Sequence, residues 1–456
     1  METKRKRLRF SYFAAASVNL MTFVAGYGFA WSSPCVPKLK EESDPAFNPL
    51  SHPASTLEIS WITSLHHLGA LCGPLFTGYI SEKIGKKATL IMFSLPQVAS
   101  NVMLIFANDV THFYASRFLL GMGTGCVFSI IPSYVAEITE TEHRGRTSMF
   151  LPLMVVSAQF LVWSIGPYVA ISTLAMMCLV PSALFLIVFG LYVPESPYYF
   201  AKRNKLDEAE EALVKSGAEN VQSELKAILS SVQNSKIAFS FDDFRKSKAA
   251  KKSLIIALGL MFAQQFNGHP AIAAYQQTIF GSTKGSIGPE KSVIIAGFVQ
   301  LLATLVTVKF VDTVGRKKLL LFSYSALLIS VTGLGTYTYL QDKGLDLSAY
   351  SWIPISCVLL NMSSFKVGSG PISWTVIGEI FPPSFKYYLN GMAAFLMTLF
   401  GFFVTFMFPR ISEILGMSFS LFLFAGIVAF AIVFIGYFVP ETKGKSLQEI
   451  QNILHK

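Results

Sequence analysis

The chain has 456 residues, 52% of them hydrophobic and 14% charged, with a formal net charge of +10. Soluble domains carry about 25% charged residues, so this composition excludes an ordinary soluble domain and indicates a protein with several membrane spans. The positive excess does not imply nucleic acid, because about 28 of the 37 Lys and Arg fall in the termini, one central polar run and alternate loops, the bias that orients membrane proteins.

In chain order, Lys4-Arg5-Lys6-Arg7 is a basic patch beside the membrane. Six apolar segments follow, at 11–33, 58–80, 87–107, 110–137, 147–170 and 172–193, each near the length of about 20 residues that a bilayer requires. The polar run 194–251 comes next, with short helices expected at Asp207–Leu213 and Ser223–Leu229. Six more apolar segments lie at 252–280, 290–311, 318–340, 349–378, 385–408 and 416–439. The reading is an all-α membrane protein with twelve transmembrane helices. Its parts are an N-terminus (1–10), a six-helix bundle (11–193), a linker (194–251), a second bundle (252–439) and a C-terminus (440–456). The charge bias puts both termini and the linker in the cytosol.

The two bundles repeat marks in the same order. Glu82-Lys83-Ile84-Gly85-Lys86-Lys87 returns as Asp312-Thr313-Val314-Gly315-Arg316-Lys317. Glu137 with Arg144 returns as Glu379 with Lys386, and Pro194-Glu195-Ser196 returns as Pro440-Glu441-Thr442. With an even number of spans per half, each mark falls on the same membrane face twice. The duplication is therefore parallel, with a pseudo-two-fold axis along the membrane normal. Glu82, Lys83, Lys86, Glu137, Arg144, Glu195, Asp312, Arg316, Glu379, Lys386 and Glu441 are thus candidate gate charges at the inner helix ends.

On these residues the chain resembles the sugar porters of the major facilitator superfamily, the glucose-transporter family. The resemblance also rests on Arg117-Phe118, Pro132…Tyr134…Glu137, Gln264-Gln265 and Gly370-Pro371…Trp374…Glu379-Ile380-Phe381-Pro382. Ser17-Val18-Asn19-Leu20, Trp31-Ser32-Ser33-Pro34 and Ser60-Trp61-Ile62 resemble the insect facilitated trehalose transporters within it. The resemblance implies the twelve-helix fold, alternating access, a central sugar site and a multi-pass plasma-membrane protein.

Burying a sugar hydroxyl without a partner costs about 1–3 kcal/mol, so a sugar site needs convergent amides and an aromatic plate. The expected substrate residues are Gln264, Gln265 and Asn267 on the seventh span, Gln300 on the eighth and Trp374 on the tenth, with Tyr275 and Arg117 toward the outer end. Gly268 and Pro270 break the seventh span, and helix breaks line cavities. Four positions depart from what the resemblance implies, and three of them, Pro152, Pro270 and Met397, lose a polar partner. Pro152 stands where the family usually has Gln, Asn267 and Pro270 where it has Ser and Asn, and Met397 where it has Asn. The lost partners amount to about 3–9 kcal/mol, against about 4 for millimolar binding. The usual sugar pose is therefore altered, the substrate is less polar, or transport has been lost in favour of sensing.

His66, His67 and Lys366 are ionisable groups inside spans and functional candidates by default. The bland reading of the histidines is burial with hydrogen bonds; that of Lys366 is snorkelling, against a role in the outer vestibule such as pairing with an acid or attracting an anion. No acid lies between Phe10 and Pro37, which favours facilitated diffusion over proton symport under the resemblance. The run Gly121-Met122-Gly123-Thr124-Gly125 has no strand before it and reads as close helix packing rather than a nucleotide loop. The five cysteines have no metal-ligand spacing, and no disulfide, metal or cofactor is expected. No nucleophile–base set points to an enzyme. The expected partners are a small-molecule substrate and the bilayer, for a monomer.

Overall fold

The computed structural model describes residues 2–40, 47–139, 143–218, 220–234, 241–283, 287–310, 314–382, 385–445 and 447–455. Among these, nine helices are long and apolar enough to cross a membrane. Three further spans complete the twelve, and each is interrupted. The second span is Thr56–Ala70 followed by Cys72–Ile84. The seventh is Lys248–Gln265 followed by His269–Ser282. The tenth is Ile353–Ser364, a wide π-helical turn at Phe365–Ser369, then Pro371–Ile380. The residues singled out from sequence, His66, Gln264, Lys366 and Trp374, lie on these broken spans.

The spans form two six-helix bundles. They meet where the second span packs on the eleventh, Lys386–Leu415, and the fifth, Phe150–Ile165, packs on the eighth, Pro289–Phe310. Shifting each number by six converts one pair into the other, as a parallel duplication requires. Inside the first bundle the glycine run does pack helices. A Cβ on Gly121 would lie 2.1 Å from the His66 carbonyl oxygen, and one on Gly125 2.1 Å from that of Ala70. Only glycine permits the second and fourth spans to approach so closely.

The first helix starts at Glu2, so residues 2–10 of the expected N-terminus are helical and run on into the first span. Nothing in Lys4-Arg5-Lys6-Arg7 breaks a helix, and Arg7 forms a two-pronged ion pair with Glu224 of the linker. The linker helices are longer than expected, Leu206–Lys215 and Val221–Asn234, and share a small core of Ala209, Leu213, Leu225 and Ile228. The C-terminus carries a helix the sequence reading missed, Leu447–His455. It buries Ile450 and Leu454 against the second bundle, and Gln451 donates to the Ile380 carbonyl at 2.8 Å.

Candidate functional site

The break in the seventh span is built by a few residues. Gly268 has φ of 86°, a left-handed conformation that glycine adopts freely. Pro270 sits in the first turn of the helix that follows, where its missing N–H costs nothing. Asn267 bridges the break: its Oδ1 accepts from the His269 N–H at 2.9 Å and its Nδ2 donates to Ser369 Oγ at 3.0 Å. Its side chain is fully buried and committed to the backbone turn and the tenth span. Gln264 ties the same two breaks together, its Nε2 donating to the carbonyls of Ser369 (3.2 Å) and Gly370 (2.9 Å). Its Oε1 has no partner among the described residues.

Gln265 points toward Gly401 of the eleventh span, where a Cβ would lie 3.3 Å from Gln265 Oε1. Gln300 donates to Gln159 Oε1 at 2.5 Å, across the contact between the fifth and eighth spans. Gln159 was missed in the sequence reading. Its signal was an amide seven residues after Pro152, two turns on and so on the same helical face. Trp374 is half-buried beside the core of the second bundle.

Tyr275 serves a different contact. Its hydroxyl meets Thr63 Oγ1 at 2.5 Å and donates to the Thr405 carbonyl at 3.0 Å. Further contacts between bundles lie on the same side: Thr56 to Glu413 (3.1 Å), the Gln277 N–H to Ser33 Oγ (3.3 Å), and Trp61 against Phe406 (4.8 Å between rings). All sit toward the end opposite the linker. On the linker side, a Cβ on Gly391 of the eleventh span would meet no atom within 4 Å. The bundles are thus joined at the end opposite the linker.

Arg117 is enclosed within the first bundle. It donates to the carbonyls of Ile62 (3.1 Å) and Gly28 (3.0 Å) and to Ser32 Oγ (3.3 Å), with the Trp31 ring 4.9 Å away. It braces the turn at Trp31 in the first span. His66 packs edge-on to Phe29, and neither ring nitrogen has a hydrogen-bond partner among the described residues, which corrects the expectation of a satisfied histidine. His67 turns away from it, toward Gly401. Lys366 lies on the π-helical turn over the Phe365 ring, at 5.8 Å. Among the described residues no acid pairs with it, so of its two expected vestibule roles the ion pair is not formed there.

At the linker end the duplicated marks form two matching sets. Glu195 accepts from the backbone N–H groups of Lys86 (3.0 Å), Lys87 (2.9 Å) and Ser196 (2.8 Å). Glu441 accepts from those of Arg316 (2.9 Å), Lys317 (3.2 Å) and Lys443 (3.0 Å). Each carboxylate thus sits on the positive end of a helix, Lys86–Ile105 or Arg316–Asp342. Beside them, Lys86 pairs with Glu137 (2.7 Å), which also accepts from Ser196 (2.5 Å), while Arg316 pairs with Glu379 (3.4 Å). Arg144 donates to the Ala136 carbonyl at 2.9 Å. Glu82 and Lys83 are exposed; Lys83 lies over the Tyr79 ring at 4.4 Å, and their carbonyls, not their charges, receive Arg203 and Tyr199. Lys386 is half-buried in the first turn of the eleventh span, and Asp312 lies outside the described residues. Each set holds its own bundle together.

Two six-helix bundles related by a pseudo-two-fold axis, joined at the end opposite the linker and holding broken polar helices, define a membrane transporter of the major facilitator fold. The chain belongs to the family described as sugar (and other) transporters, whose model matches residues 13–454. It is 30% identical over 446 residues to the facilitated trehalose transporter Tret1 of Bombyx mori, covering 96% of this chain and 85% of that one. It is 31% identical to Tret1 of Anopheles gambiae, covering 96% of this chain and 55% of that protein. The inward-open xylose transporter XylE from E. coli superposes with a TM-score of 0.78 at 23% identity, over 96% of this chain and 98% of that one. The POT family transporter PepTSo superposes less closely, with a TM-score of 0.64 at 14% identity, over 95% of this chain and 97% of that one.

Proposed function

We propose that this protein carries a sugar, trehalose or a hexose, across the plasma membrane by facilitated, uniport-type diffusion. The observation that carries this reading is family membership running through both bundles, residues 13–454, in common with facilitated trehalose transporters. The cleft between the bundles is the transport path, and rocking of the bundles exposes it to one side at a time. Gln264, Gln265 and Gln300 offer amides to sugar hydroxyls, and half-buried Trp374 offers its ring to the apolar sugar face. Asn267 shapes the break from behind, and Tyr275 closes the path at the far end. The linker end faces the cytosol, in keeping with its excess of Lys and Arg.

Purified protein in liposomes tests the reading. Labelled trehalose and glucose are expected to enter saturably, compete with each other, and ignore an imposed proton gradient. No saturable uptake of either sugar would overturn it.

A further inference from the structure

We propose that the transport path also takes sugar acids, polyhydroxylated monocarboxylates, with Lys366 as the counter-ion of the carboxylate. The inference rests on the transport reading above and adds a substrate class to it.

Lys366 stands midway between Ile353 and Ile380, the ends of the tenth span, roughly 20 Å from either by the helical rise. A four-carbon stem does not reach an interface from there, so snorkelling does not hydrate its ammonium. Among the described residues it has no hydrogen bond and no ion pair, only the face of the Phe365 ring at 5.8 Å. A ring face offsets a small part of the cost of taking a charge out of water. Arg117, the other cation deep in a described span, is satisfied by carbonyls inside the first bundle. The acids of the described spans, among them Glu58, Glu290, Asp342 and Glu413, lie in first or last turns, far from mid-membrane. The ammonium thus has no counter-charge from the described residues, and a buried cation in that state draws an anion.

Its surroundings belong to the break in the seventh span. Lys366 lies on the π-helical turn Phe365–Ser369, which three contacts fasten to that break. His269 stacks on Phe365 with 3.7 Å between ring centroids, Asn267 Nδ2 donates to Ser369 Oγ, and Gln264 Nε2 donates to the Ser369 carbonyl. Gln264 Oε1 has no partner among the described residues. Neither has Nδ2 of the fully buried Asn361, whose Oδ1 meets His269 Nδ1 at 3.1 Å. An ammonium and unmet amide atoms therefore share one joint between two broken helices. Amides suit hydroxyls, and an ammonium suits a carboxylate. One cation balances one negative charge, whereas a phosphate monoester carries more at neutral pH, so a carboxylate fits better than a sugar phosphate.

Uptake in liposomes tests the proposal with glucuronate, glucose and glucose 6-phosphate as probes. Labelled glucuronate is expected to enter saturably, with a KM about tenfold below that of labelled glucose. Unlabelled glucose 6-phosphate is expected to inhibit more weakly than glucuronate. The ratio of the two KM values is expected to fall about tenfold in Lys366→Met and to stay within about threefold of wild type in Lys366→Arg, which keeps the charge. A ratio taken within one variant does not depend on how much of that variant folds. Equal KM for glucose and glucuronate in the wild type, or a ratio unchanged in Lys366→Met, would overturn the proposal and leave the transport reading standing. So would glucose uptake that requires chloride and shows no preference for glucuronate, which assigns the charge to a small inorganic counter-ion. Wild-type protein that takes up neither glucose, trehalose nor glucuronate would overturn the transport reading and this inference with it.

Discussion

Glu195 and Glu441 occupy equivalent seats in the two bundles. Each lays its carboxylate on the first N–H groups of a helix that opens after a glycine, Gly85 or Gly315. A Cβ on Gly85 would lie 2.2 Å from Glu195 Oε2, and one on Gly315 2.4 Å from Glu441 Oε2. The repeated Gly-basic-Lys and Pro-Glu marks are therefore two halves of one contact, made twice.

The two glycines are not equally replaceable. Gly85 has φ of 96°, whereas Gly315 has an ordinary φ of −62°. Gly85→Ala combines backbone strain with displacement of the carboxylate and is expected to cost about 1–3 kcal/mol. Gly315→Ala moves only the carboxylate and costs less. Thermal unfolding of the two variants in detergent checks the order; a lower melting temperature for Gly315→Ala contradicts it.

The two carboxylates also respond oppositely to acid. Burial raises the Glu195 pKa above 4.5, against the backbone hydrogen bonds that lower it. At Glu441 burial also acts upward, but four backbone N–H groups outweigh it and hold the pKa below 4.5. The fold favours protonated Glu195, whose stabilising contribution is fully present below the unfolded pKa and is lost as pH rises through the folded one. The contribution of Glu441 is present above its unfolded pKa and lost as pH falls through the depressed folded value. Glu441→Gln is thus expected to destabilise more than Glu195→Gln near neutral pH, with the gap closing on acidification. Melting temperatures measured across the acid range check this, and a constant gap counts against it.

Asn267 and Gln265 are two positions apart in the seventh span but differ in role, and mutation separates them. Asn267→Ala loses the bonds to His269 and Ser369 and is expected to cost about 1–2 kcal/mol of stability. Gln265→Ala breaks no hydrogen bond among the described residues and is expected to leave stability intact while raising KM about tenfold. Parallel uptake and melting measurements decide; equal losses of stability in both would remove Gln265 from the site.

Tyr275→Phe removes the hydroxyl that meets Thr63 and Thr405. Weakening the closed end by about 1–2 kcal/mol shifts the balance of states by roughly 5- to 30-fold toward opening there. Spin labels on the exposed residues Leu57 and Ile414 are expected to report a longer separation in the variant. An unchanged distance distribution assigns the closure to other contacts.

The number of spans, their division into two parallel repeats and the family are all legible in the order of the residues alone. These follow from hydrophobic runs of bilayer length and from marks repeated at matching positions, both of which are local properties of the chain. The use made of each polar group is settled by how the helices pack in space. Gln264, Asn267 and Tyr275 look alike as intramembrane polar residues, yet two bind a helix break and one joins the bundles. Glu195 and Glu137 look alike as inner charges, yet one caps a helix and the other pairs with Lys86. Gln159 and the partnership of His67 with Gln265 around Gly401 could not be read in advance, because both join spans far apart in sequence. A hydrogen bond depends on where its partner lies in space, and helix packing alone settles that.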